Sequence, residues 1–173
     1  MAKATKPLSD QEVFAALLGD DELRVVINAG IVIEAALDEL FRNAMVDAEA
    51  LADMRLSYVQ KVSLAVALGF EPRIKNPLKT LATIRNRFAH QLGTAISIQD
   101  AKNFYASFHS KDKDIIQRTW QRLASEGKSP KATLSAANPL EQFVVLVVTL
   151  NAALRAAIKQ AGKVKAIMAS GAS

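Results

Sequence analysis

Apolar residues recur along this chain at intervals of three and four, the spacing that lines one side of a helix. The clearest run lies within residues 20–45, where Leu23, Val26, Ile27, Ile31, Ile33, Ala36, Leu37, Leu40 and Phe41 keep an apolar helical surface with no proline to break it. That surface covers most sides of the helix, which predicts an element at the centre of a bundle. Helix starts are marked by a capping residue with an acid or amide three positions later, a pair that satisfies the free backbone donors of the first turn. Ser9 with Glu12 predicts a short helix to about Leu18, Ser57 with Gln60 one that stops at Gly69, and Ser97 with Asp100 one through Phe108. Asn138, followed by Pro139 and Leu140, opens the last long helix. Pro77 sits in the first turn of a helix over residues 78–92, ended by Gly93. Residues 115–124 form an amphipathic helix around Trp120, and residues 127–137 are the longest loop. Strand-like alternation is confined to residues 95–98, where the Ser97 capping box overrides it.

The expected fold is all-α, an up-and-down helical bundle with short peripheral helices. One domain should occupy residues 9–161, between flexible tails at 1–8 and 162–173. At 173 residues, half of them hydrophobic, the chain can bury a substantial core without covalent staples. The lack of cysteine removes disulfides, thiolate zinc sites and cysteine nucleophiles, and suits a reducing cytoplasm. With two histidines far apart, His90 and His109, and no glycine-rich phosphate loop, no metal site or cofactor is expected. The N-terminal residues lack the layout of a secretory signal, so a cytoplasmic location is expected. The most apolar stretch, residues 143–150, extends to about Ile158 with Asn151 and Arg155 interrupting it. It falls short of the roughly 20 apolar residues of a membrane span and reads as a buried core helix.

Charge is unevenly divided. Residues 9–54 hold eleven acids against two bases, and residues 55–173 hold eighteen bases against six acids. Such a division either creates a basic surface for an anionic partner such as nucleic acid, or lets the two halves neutralise each other where they pack.

The segment richest in chemistry is Arg85-Asn86-Arg87-Phe88-Ala89-His90. At about 100° per residue, Leu78, Leu81, Ile84, Phe88 and Leu92 form an apolar stripe that includes Arg85, with Asn86 and His90 on the opposite side. Asn86 and His90 are neighbours four residues apart, whereas Arg85 lies about 140° from His90. A guanidinium on a core-facing stripe needs a carboxylate, and Glu34 and Asp38, four apart on the second helix, repel each other unless a cation sits between them. Either Arg85 is that cation, or Arg42 neutralises Asp38 locally and both acids face solvent. His90, and Arg87 likewise, would also serve at a helix C-terminus, where cations favour the negative end of the dipole.

Arg85, the polar Asn86 directly after it, and His90 after four intervening residues resemble the signature of the HEPN superfamily of helical-bundle proteins. Within it, residues 81–91, preceded by Lys61, Leu64, Ala67, Leu68 and Gly69, are similar to the branch containing mannitol operon repressor proteins. The resemblance covers roughly residues 20–160 in helical layout and six residues in specific motif. It implies a homodimer in which two copies of the motif meet, acting either as a regulatory module or as a metal-independent endoribonuclease. In the second case His90 would be the general acid or base, Arg85 the phosphate clamp, and Asn86 the residue that orients them. Histidine supplies proton transfer near neutral pH without a metal, arginine stabilises charge on phosphate oxygens, and a two-fold dimer supplies the second histidine that acid and base on opposite sides of phosphorus require.

The chain lacks the glycine turn between two amphipathic helices that a DNA-reading helix pair needs, so direct sequence-specific reading of DNA is not expected. A regulatory role would run through RNA or a protein partner, without a membrane. Phe104, Tyr105 and Phe108 sit at spacings suited to core packing rather than to base stacking.

Overall fold

The computed structural model describes residues 8–127 and 131–170, which form seven α-helices and no strand. They are α1 (Asp10–Ala16), α2 (Glu22–Ala44), α3 (Tyr58–Ala67), α4 (Lys75–His90), α5 (Ile98–Ser107), α6 (Ser110–Ser125) and α7 (Pro139–Ser170), with 3-10 turns at Glu49–Met54, Pro72–Ile74 and Leu134–Ala136. The all-helical bundle expected from periodicity is the fold. The tail expected at residues 1–8 falls, apart from Leu8, outside the described residues.

The capping boxes at Ser9, Ser57 and Ser97 all close with both reciprocal bonds. Asn138 and Glu141 close a fourth, each backbone N–H donating to the other's side chain at 3.0 and 2.8 Å. Each such cap contributes about 1 kcal/mol. Asp21 caps α2, accepting from the Arg24 N–H at 3.1 Å.

Several boundaries differ from the sequence reading. Helix α4 starts at Lys75, so Pro77 is its third residue, still within the turn where a missing N–H costs nothing. It ends at His90, which leaves Leu92 beyond the helix, fully exposed and no part of the apolar stripe. Helix α6 begins five residues earlier than expected because His109 takes the N-cap position, its Nδ1 accepting from the Lys111 N–H at 3.3 Å. Histidine is a weak capping signal in sequence. Helix α7 runs past Gly162, where a flexible tail was expected, as far as Ser170. Gly162 permits close approach to α2, since a Cβ there would lie 3.2 Å from Asn43 Oδ1. Lys165 Nζ donates to the Arg42 carbonyl at 3.0 Å, which caps the end of α2 and ties the last turns of α7 down.

Helices α2 and α7 form the central pair; α2 also packs on α1, α3 and α4, and α7 on α1, α5 and α6. Ile33, Leu37 and Leu40 of α2 meet Phe143, Leu146, Leu150 and Leu154 of α7 in one core, all fully buried. Each such side chain contributes roughly 1.5–3 kcal/mol by leaving water, and truncating one to alanine costs about 2–5 kcal/mol. Leu23 and Ile31, counted in the apolar surface of α2, are exposed at 48% and 59%. Phe104 is buried between Phe108 and Phe143 at ring-centroid distances of 5.4 and 5.6 Å, so this aromatic cluster packs the core. The extension of α7 also makes it longer than the sequence reading allowed: Pro139–Ile167 is long and apolar enough to cross a membrane by length and composition, and 56% of its most apolar window is buried inside the bundle.

Candidate functional site

Helix α4 carries the Arg85, Asn86 and His90 signature, and its orientation is set by the burial of Leu78, Leu81, Ile84 and Phe88. Asn86 and His90 are exposed, while Arg85 is half-buried. The three residues therefore leave the helix in two directions.

Arg85 lies across Gly30 of α2. A Cβ built on Gly30 would sit 3.0 Å from Arg85 Cδ and 3.2 Å from its Nε, so the glycine provides the bed for the arginine stem. Tyr58 lies close by and donates its hydroxyl to the Leu78 carbonyl at 3.2 Å. Burial, reinforced by the charge of Glu34, pushes the Tyr58 phenol well above its ordinary range, with the positive charge of Arg85 acting in the opposite direction. Among the described residues Arg85 forms no ion pair.

The acids expected to hold Arg85 are held by another cation. Lys61 Nζ of α3 sits between Glu34 and Asp38, at 3.0 Å from Glu34 Oε1 and 2.7 Å from Asp38 Oδ1. Burial alone pulls the lysine pKa down, but the hydrogen bonds to Asp38 and Glu34 outweigh it and leave it raised. The local alternative fails as well, because Arg42 pairs with Glu39 at 2.8 Å. Only the packing of α3 against α2 brings Lys61 to the acid pair, across 27 and 23 residues of chain. This bridge joins the acidic first part of the chain to the basic remainder, an instance of the neutralisation weighed from charge.

Arg87 anchors the turn that follows His90. Its guanidinium donates two parallel bonds to Asp100, at 2.8 and 2.7 Å, and a third to the Ala95 carbonyl at 3.3 Å. The same carboxylate accepts from the Ser97 N–H and hydroxyl at 2.8 and 2.6 Å, so the α5 cap and the α4 anchor share one residue. Burial raises the Asp100 carboxyl, yet the bonds from Arg87 and Ser97 prevail and hold it at about 2. From the α2 side, Glu22 accepts the Ile96 N–H at 2.5 Å. His90 thus ends a helix whose exit is held from both sides.

Along α4, Lys75, Lys79, Asn86 and His90 fall within about 60° of one another at 100° per residue. Lys79, Asn86 and His90 are exposed and Lys75 is half-buried. Among the described residues neither lysine forms an ion pair, whereas Arg73 is taken up by Glu71 and Asp112. A single helix face therefore presents two ammonium groups, an amide and an imidazole, a set of hydrogen-bond donors suited to a polyanion. Gly30 and Tyr58 had no signal as site residues in the sequence and Lys61 figured only in the motif resemblance, since their roles depend on which helices touch. No protein-family model, curated protein or solved structure matches this chain.

Proposed function

We propose that the chain is a regulatory protein of the HEPN-like kind, similar to the mannitol operon repressor branch, which acts by binding RNA or a protein partner rather than by reading DNA. The observation that carries this reading is the divergence of the signature: Asn86 and His90 stand with Lys75 and Lys79 on one exposed face, while the Arg85 stem is bedded on Gly30. One chain then offers a binding strip but no histidine beside a phosphate clamp, and a strip of donors binds without transferring a proton. Two copies meeting along this face would form the larger surface, in line with the homodimer that the motif resemblance implies.

A second reading has its own support. Arg85 has no carboxylate partner among the described residues, and a guanidinium left free in this way is available to phosphate. If a second copy brings its His90 to that guanidinium, the pair would make a metal-independent endoribonuclease. The deciding experiment incubates the protein and His90→Ala with mixed single-stranded RNA in chelator, with RNA retention measured alongside cleavage. Retention of RNA or of a partner without cleavage, together with altered operon expression on deletion of the gene, is expected. Cleavage by the wild type that His90→Ala abolishes, with the fold intact, overturns the regulatory reading in favour of the nuclease.

A further inference from the structure

Away from α4, the side of α7 facing the end of α2 and the start of α6 is hollow. A cavity of about 320 Å3 lies between Pro77, Phe108, Ile115 and the α7 residues Val148, Ala152 and Ala156. It shares Arg73, Ile74, Ala153 and Ala156 with a groove of about 830 Å3 that runs on along α7 to Val164 and Lys165. Alanines at 153, 156, 157 and 161 leave this space open where larger residues would close it. Val46 at 100%, Leu68 at 39% and Val164 at 46% expose apolar surface along it, beside the polar Glu71, Arg73, Gln160 and Lys165.

Into the smaller cavity projects the carboxylate of Asp112, whose side chain is only 7% exposed. Its sole ion-pair contact among the described residues is Arg73 Nη1, at 3.7 Å from Oδ1, which is beyond hydrogen-bond length. Among the described residues no protein group donates to Oδ2. A buried carboxylate oxygen with no donor is costly, and native interiors rarely keep one without a partner.

We infer that this cavity and groove bind an uncharged amphiphile, a molecule with a flexible apolar body and a terminal hydroxyl that donates to Asp112 Oδ2. The charges around the cavity select against the other head groups. Arg73 and Arg122 face Asp112 in the cavity, and Glu71 of the adjoining groove pairs with Arg73, so these groups carry no net negative charge to hold an ammonium, while the bare Asp112 oxygen repels a carboxylate. A hydroxyl fits both, donating to Asp112 and accepting from Arg73. Each of the two spaces, about 320 and 830 Å3, falls in the range of small-molecule sites, which are mostly apolar with few convergent polar groups.

The test uses the full chain and 1-octanol, with n-octylammonium and octanoate as comparators, by titration calorimetry and ligand-observed NMR. One molecule of octanol should bind per chain, more tightly than either charged analogue. Asp112→Asn, which keeps the shape and removes the charged acceptor, should weaken octanol tenfold or more. Ala153→Leu, placed where the two spaces meet, should abolish binding and remains informative if Asp112→Asn fails to fold. Absence of saturable octanol binding by the wild type, undiminished binding by the folded variants, or tighter binding of either charged analogue overturns the assignment.

Discussion

Replacing Asp100 with asparagine removes one residue that does two structural jobs, capping α5 and anchoring Arg87 at the end of α4. The carboxyl sits at about 2 in the folded chain, against about 3.9 for a free aspartate. That difference corresponds to about 2.5 kcal/mol, which solvent screening of the partly exposed pair reduces to about 1.5 kcal/mol. Because the folded pKa is depressed, the contribution is fully present above about pH 4, and is lost as pH falls through the folded value. Urea unfolding of wild type and Asp100→Asn at pH 7 should therefore differ by about 1–2 kcal/mol, with the gap closing towards pH 2. Asparagine can still accept from Ser97, so adding Arg87→Met should show non-additivity, most of the loss belonging to the Arg87 bond. A gap that persists unchanged to pH 2, or strict additivity of the two substitutions, would refute the claim that the charged pair fixes this turn.

Two other substitutions probe the α2 surface beneath the motif. Lys61→Met leaves Glu34 and Asp38 facing each other without their cation and should cost about 1–3 kcal/mol in urea unfolding, whereas Arg85→Ala should cost under about 1 kcal/mol. Equal costs would mean that Arg85 shares the acid pair after all. Gly30→Ala should gain up to about 1 kcal/mol from helix propensity and lose much of it by displacing the Arg85 stem. Its effect on stability should therefore turn more favourable in an Arg85→Ala background, and identical effects in both backgrounds would show that the two residues do not touch.

The starts of α1, α3, α5 and α7 were legible because capping is local: Ser9, Ser57, Ser97 and Asn138 each bond to residues within three positions, so chain order alone carries the information. The same holds for the central character of α2 and α7, since a helix apolar around most of its surface has to be covered. The motif on α4, and the angle separating Arg85 from His90, also follow from helix geometry. The partners of those residues do not. Glu34 and Asp38 signalled a missing cation, but whether Arg85, Arg42 or Lys61 would supply it depended on how α3 lies against α2, across more than twenty residues of chain. Gly30 reads in sequence as a weak point in a helix and becomes a bed for Arg85 only when α4 crosses it. Gly162 likewise suggested an end to α7, until Asn43 and Lys165 tied that stretch to α2. Asp112 lay ahead of the helix expected over residues 115–124, and only the packing of α6 beside α7 and the Pro72–Ile74 turn buries it. Short-range hydrogen bonds and periodicity are written along the chain, whereas ion pairs and cavities between helices are set by the crossings through which the apolar faces find cover.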